Sequence, residues 1–173
     1  MTKGLFAIHT GKGKGKTTAA LGMVFRALGH GHKVAIIQFI KGNNRTGEYQ
    51  LAKHFPHLLE MHVTGRGFTW KSDDINKDSQ LAREAWGLAR SIIDDSSYRL
   101  VVLDELTYLI KYGMVSEEEV LTVIEQRPAS MHVIVTGRDA SDRLIDSADL
   151  VTEMVERKHP LRAGIKAQKG FDF

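Results

Sequence analysis

Nine consecutive residues, Thr10-Gly11-Lys12-Gly13-Lys14-Gly15-Lys16-Thr17-Thr18, place three glycines, three lysines and three hydroxyls side by side. That mixture suits a polyphosphate. Glycines 11, 13 and 15 let the backbone turn so that its N–H groups converge on an anion. A helix opening near Lys16 adds the positive end of its dipole. Lys16 supplies a mobile point charge for the outer phosphates, and the Thr17 hydroxyl is of the type that ligates Mg2+ (or Mn2+). The common pattern is G-x-x-x-x-G-K-[ST]. Gly15-Lys16-Thr17 match it, while Thr10 stands at the position of the first glycine, so the loop is a variant.

A second set of residues completes a nucleotide site. Leu100-Val101-Val102-Leu103 is an apolar run ending in Asp104-Glu105. A carboxylate at the end of a buried strand holds the metal of phosphate-loop proteins, directly or through water. If both acids lay on the strand they would point to opposite sides, so unequal roles are expected. One of them could instead cap a helix over 106–112. Gly65-Arg66-Gly67-Phe68-Thr69-Trp70-Lys71 sets two aromatics two residues apart in a glycine-containing loop. Phe68 and Trp70 either pack onto the domain or line a pocket for a large flat ligand. Arg138 follows a strand end, where ligands gather in open parallel sheets, and either meets a phosphate through its planar fork or faces water. Arg26, inside the first helix, has the same two options. The eight histidines show no ligand spacing such as HExxH.

The elements that must hold these groups follow from periodicity. Strands are predicted at 5–9, 34–40, 58–63, 100–103, 133–136 and 150–155. Helices are predicted at 17–28, 49–54, 79–94 and 142–147, with another opening at Ser116 in a capping box with Glu119. Strands alternating with helices predict a three-layer α/β domain of the P-loop, RecA-like type, with a mostly parallel sheet in one unit over 1–173. The chain has 173 residues, is 42% hydrophobic and has no cysteine. Disulfides, thiolate metal centres, iron–sulfur clusters and a cysteine nucleophile are thereby excluded. No apolar run reaches the ~18 residues of a membrane helix, and the N-terminus lacks a signal pattern. A cytoplasmic protein without membrane or nucleic-acid partners is expected. The net charge of +3 is matched by 156–173 alone, with five Lys/Arg against two acids. Such a spread is a weak footprint for nucleic acid.

Taken together, G-K-G-K-G-K-T-T-A-A (11–20), G-H-G-H-K-V (29–34), Q-F-I-K-G (38–42), G-F-T-W (67–70), V-V-L-D-E-L-T-Y (101–108), V-T-G-R (135–138) and G-I-K-A-Q-K-G-F-D-F (164–173) resemble the ATP:corrinoid adenosyltransferases of the CobA/BtuR type. The resemblance implies transfer of the 5′-deoxyadenosyl group of ATP to the cobalt of a reduced corrinoid, with inorganic triphosphate leaving. It implies that Gly11, Lys12, Gly13, Lys14, Gly15, Lys16, Thr17 and Thr18 hold the triphosphate, in a nucleotide orientation reversed from most phosphate-loop proteins. Arg26 is kept as a further ATP-site candidate. Lys16 and a magnesium ion on Thr17 would neutralise the leaving group, Glu105 would help hold the metal with Asp104 in support, and Arg138 would contact phosphate. Phe68 and Trp70 would face the corrin ring and exclude the lower axial ligand of cobalt, bringing Co(I) within reach of a cellular reductant. A flavodoxin-like electron donor and a homodimer are also implied.

One departure from the family is visible. Its members often carry an N-terminal extension that covers the site, whereas about four residues precede the first predicted strand here. Three rivals share the loop. An ordinary RecA-like ATPase would place Asp104 on metal and Glu105 on water and give ADP and phosphate. A small-molecule kinase would need an acceptor hydroxyl and a lid. A nonenzymatic nucleotide- or corrinoid-binding module would retain ligand without turnover.

Overall fold

The computed structural model describes residues 2–42, 45–65 and 75–173, with no side-chain description for 75–77. Six strands form one sheet: β1 (Phe6–Thr10), β2 (Val34–Gln38), β3 (Leu59–Val63), β4 (Leu100–Asp104), β5 (His132–Thr136) and β6 (Leu150–Glu153). Their order is β3-β2-β4-β5-β1-β6, and every pairing is parallel. The helices are α1 (Lys16–Gly29), α2 (Gly47–Ala52), α3 (Ile75–Asp94), α4 (Leu106–Lys111), α5 (Glu117–Gln126) and α6 (Asp142–Ser147). The predicted α/β class and its parallel sheet are what the chain adopts.

Alternation along the strands builds two cores. Ala7, Val34, Ile36, Leu100, Val102 and Ile134 turn toward α1 and α2, meeting Ala20, Val24 and Ala52. Phe6, Ile8, Ala35, Ile37, Val101, Leu103, Val133 and Val135 turn the other way, against α3, α4, α5 and α6. Continuous β-branched runs are what a strand covered on both faces requires. The result is three layers, with β1 and β4 separated by β5.

Boundaries differ from the periodicity for local reasons. The second strand stops at Gln38 rather than Ile40. Past it the chain turns inward, and Phe39 and Ile40 join the core with Phe39 N–H donating to the Asp104 carbonyl at 3.1 Å. The sixth strand stops at Glu153, because Met154 is already engaged with the loop after β1. α3 starts at Ile75, one turn earlier than expected. The predicted capping box forms only its first half. Ser116 Oγ accepts from Glu119 N–H at 3.1 Å, while the Glu119 carboxylate accepts from Trp86 Nε1 at 2.8 Å and tethers α3 to α5.

Candidate functional site

The loop 11–15 runs from the end of β1 into α1. Gly15 precedes the helix at φ 117°, a conformation that disfavours any side chain, and no side chain caps the helix. The first-turn N–H groups are therefore available to an anion. The loop is backed by the chain leaving β6. Met154 N–H donates to the Thr10 carbonyl at 2.8 Å, and Gly13 N–H donates to the Met154 carbonyl at 2.7 Å. A methyl group on Gly11 would lie 2.5 Å from that carbonyl oxygen, and one on Gly13 2.7 Å away, so glycine is needed at both for close approach. Lys16 is buried, and its Nζ donates to the carbonyls of Gly11 at 2.9 Å and Gly13 at 2.8 Å. Burial lowers the Lys16 pKa, with Glu105 opposing the shift and Arg138 adding to it.

The two carboxylates part company. Asp104 is fully buried at the end of β4 and accepts three hydrogen bonds: from Thr17 Oγ1 at 2.8 Å, Thr136 Oγ1 at 2.7 Å and Gln38 Nε2 at 3.0 Å. The Thr17–Asp104 bond joins the two motifs that the sheet order separates, and Thr136, on the intervening strand β5, holds the Asp104 carboxylate from the side. Glu105 has left the strand and stands at the N-cap position of α4 with φ 65°, yet its side chain makes no cap. Its backbone is held by a hydrogen bond from its N–H to Thr136 Oγ1 at 2.9 Å. The carboxylate faces the cavity, and Oε2 is buried without a hydrogen-bond partner. Burial raises the Glu105 pKa, as does neighbouring Asp104, against the pull of Lys16 and Arg138. The half-buried Glu105 carboxylate, with one oxygen unpaired, and the Thr17 hydroxyl both line the cavity and are hard oxygen donors of the kind a divalent cation takes. Among the described residues, no cluster of three or more His, Cys, Asp or Glu forms a cage of its own.

These groups sit at one end of a cavity of about 800 Å³. Lys12 to Thr18, Glu105, Tyr108 and Arg138 form its polar end, and Leu21, Phe25, Leu28, Leu51 and Phe55 its apolar flank. Lys41 and Glu48 also line it and pair at 2.8 Å. Burial would raise the Glu48 pKa, but the Lys41 hydrogen bond and charge outweigh it and the net shift is downward. The chain's last residues, Gly170 to Phe173, close a further side.

Of the residues expected from sequence, Lys12 to Thr18, Glu105 and Arg138 meet at the cavity, with Gly11 and Asp104 directly behind them. Arg26 does not join them: it is exposed in the last turn of α1 and is not among the residues that line the cavity. Phe68 and Trp70 lie outside the described residues, as does most of the loop that carries them. Sequence reasoning missed Thr136 and Gln38. Gln38 carried a signal, because it alone interrupts an apolar strand and aligns with Asp104 in the sheet. His9, the register partner of Thr136, is also buried on this row, and burial lowers its pKa. Asp172, which pairs with Lys14, carried no local signal.

Comparison with known proteins shows the family to which the chain is similar along its length. Residues 2–173 match the family described as ATP:corrinoid adenosyltransferase BtuR/CobO/CobP. The chain is 48% identical over 171 residues to the corrinoid adenosyltransferase of Pseudomonas aeruginosa, covering 99% of this chain and 84% of that one. It is 43% identical over 171 residues to the corrinoid adenosyltransferase of Escherichia coli K12, covering 99% and 86%. Among solved structures, flagellar accessory protein FlaH of Methanocaldococcus jannaschii superposes with a TM-score of 0.60 at 12% identity, covering 88% of this chain and 72% of that one, which is a likeness of fold alone. No helix among the described residues is long and apolar enough to cross a membrane.

Proposed function

Because the chain belongs to the ATP:corrinoid adenosyltransferases, we propose that it attaches the 5′-deoxyadenosyl group of ATP to Co(I) of a reduced corrinoid and releases inorganic triphosphate. Cobalamin, cobinamide and cobyrinic acid a,c-diamide are the acceptors considered, in biosynthesis or salvage of the coenzyme. The observation that carries the reading is the two-ended cavity. Its polar end joins Lys16, the Thr17–Asp104 hydrogen bond and Glu105, and its flank is apolar and large. A polyanion suits the first and a broad, weakly polar ligand the second.

In this reading the cobalt lone pair attacks the ribose C5′, the C5′–O bond breaks, and the triphosphate departs with the bonding electrons. Negative charge grows on the departing oxygen, so fixed positive groups there stabilise the transition state more than the ground state. Lys16 is close enough to the loop to follow that charge, moving from the Gly11 and Gly13 carbonyls to phosphate oxygens. The backbone N–H groups of the first turn of α1, and those of the loop other than Gly13, which is committed to the Met154 carbonyl, do the same without reorganising. Arg138 adds a planar donor at the cavity wall. Thr17, with Glu105 and with Asp104 in support, would hold a magnesium ion, which supplies further charge neutralisation when bound. Asp104, locked by three donors, orients Thr17. Phe68 and Trp70 are assigned to the corrin face, a flavodoxin-like protein to electron delivery, a homodimer to the assembly and the cytoplasm to its place of action; the family resemblance supports all four.

The test supplies ATP, Mg2+, a corrinoid and a strong chemical reductant. A light-sensitive cobalt–carbon product forming in step with inorganic triphosphate is the expected result. ADP and phosphate appearing at the same rate with or without corrinoid would instead favour the hydrolytic reading, in which the unpartnered Glu105 activates water.

A further inference from the structure

The loop that sequence and geometry mark for phosphate already holds an anion from this chain. The Lys14 ammonium forms an ion pair with Asp172, whose side chain is only 19% exposed. The pairing is built rather than incidental. Asp172 uses its other oxygen, Oδ2, to accept from Gln168 N–H at 2.7 Å. Asp172 N–H returns a hydrogen bond to the Gln168 carbonyl at 2.8 Å, and Gly170 N–H donates to the Phe173 carbonyl at 2.9 Å. Gly170, at φ 82°, permits the reversal. Residues 168–173 are thus a small closed loop that presents one carboxylate to the phosphate loop and forms a wall of the same cavity.

We propose that Asp172 is a tethered counter-anion that competes with the nucleotide's phosphates for Lys14. Arrival of a triphosphate displaces it and frees the 168–173 loop; its return helps the triphosphate product to leave. The proposal rests on the reading that the triphosphate occupies residues 11–18. A tethered group acts at an effective concentration in the millimolar range or above, so a single carboxylate competes continuously. A polyphosphate brings several charges and more acceptor oxygens, and so still wins. A partly exposed ion pair contributes modestly, which sets the size of the competition at roughly 1.4- to fivefold in affinity. Because product departure limits many enzymes, a modest push on the product bears directly on turnover.

Asp172→Asn keeps an oxygen for Gln168 N–H and removes the charge. Calorimetric titration of the variant with inorganic triphosphate and Mg2+ should show binding about 1.4- to fivefold tighter than wild type, with correspondingly stronger product inhibition by triphosphate. In the wild-type protein, saturating inorganic triphosphate should speed carboxypeptidase digestion and amide exchange of residues 168–173. Unchanged or weaker triphosphate binding by Asp172→Asn overturns the proposal, as does a tail that triphosphate protects. Lys16→Ala separates the two layers. If it leaves triphosphate binding intact, the placement on residues 11–18 fails and the proposal with it. If it abolishes binding while Asp172→Asn changes nothing, the counter-anion role alone fails.

Discussion

Replacing Thr136 by valine removes one oxygen and tests whether that oxygen holds Asp104 and the turn at Glu105 in place. The Thr136 side chain is fully buried on β5, between the strand that feeds the phosphate loop and the strand that ends in Asp104. Its hydroxyl donates to Asp104 Oδ1 at 2.7 Å and accepts from Glu105 N–H at 2.9 Å. Valine has nearly the same shape, so packing changes little, but both bonds go. A hydrogen bond to a charged group contributes about 1.5–3 kcal/mol, and a buried N–H left without an acceptor costs about 1–3 kcal/mol. The added methyl returns about 1 kcal/mol of apolar burial. The expected net loss is roughly 1.5–5 kcal/mol. Thr136→Ser keeps both bonds and gives up a methyl, at about 1 kcal/mol. Equilibrium urea unfolding of the ligand-free protein, followed by tryptophan emission, measures both variants. Valine should be clearly the less stable. It should also lower kcat more than it weakens ATP binding, because Glu105 loses the anchor of its left-handed backbone. A valine variant as stable as the serine variant would refute this role in positioning the two acids.

Three further outcomes follow from other contacts. Glu105 has a pKa raised above its ordinary 4.5 by burial and by Asp104. Its stabilising share is therefore complete below that ordinary value and disappears as pH climbs through the folded-state pKa. Glu105→Gln should raise the Tm of the ligand-free protein at pH 7.5, with the advantage closing by pH 4, while adenosyl transfer falls; a Tm difference constant across that range contradicts the assignment. Gly137 has φ 145°, and a methyl there would lie 1.9 Å from Thr107 Oγ1, so Gly137→Ala should cost roughly 2–4 kcal/mol from overpacking and strain. Adding Thr107→Ala should recover part of the loss in urea unfolding, because it removes the clashing oxygen. Phe68→Ala or Trp70→Ala should slow transfer starting from Co(II) corrinoid more than transfer from pre-reduced Co(I), and equal slowing in rate assays from both starting states counts against an axial-ligand role.

Where signals were local, the sequence was readable. Gly11 to Thr18 names the loop, its strand and its helix at once, since each glycine and the Lys16-Thr17 pair has a short-range reason. The β-branched runs at 34–38 and 100–104 likewise announce strands covered on both faces. What escaped was set by distance along the chain. Asp104 and Glu105 are neighbours with opposite fates, and only the turn at Glu105, fixed from β5 by Thr136, decides which is sealed and which faces the cavity. Arg26 looked eligible because it shares a helix with Lys16, but ten residues of helix carry it about 15 Å from the phosphate end, where it is exposed. The Lys14–Asp172 pair joins opposite ends of the sequence, beyond the reach of any windowed pattern.

The edge strand β6 has a consequence for anyone wishing to graft this phosphate loop elsewhere. The nonapeptide 10–18 does not shape itself; the backbone of Met154 holds it from behind through Thr10 and Gly13. A host scaffold given only those nine residues would receive the glycines without the rail they lean on, and the transplant would be floppy. A portable cassette needs the segment 150–155 as well, delivered parallel to the first strand and in the register that pairs Thr10 with Glu153.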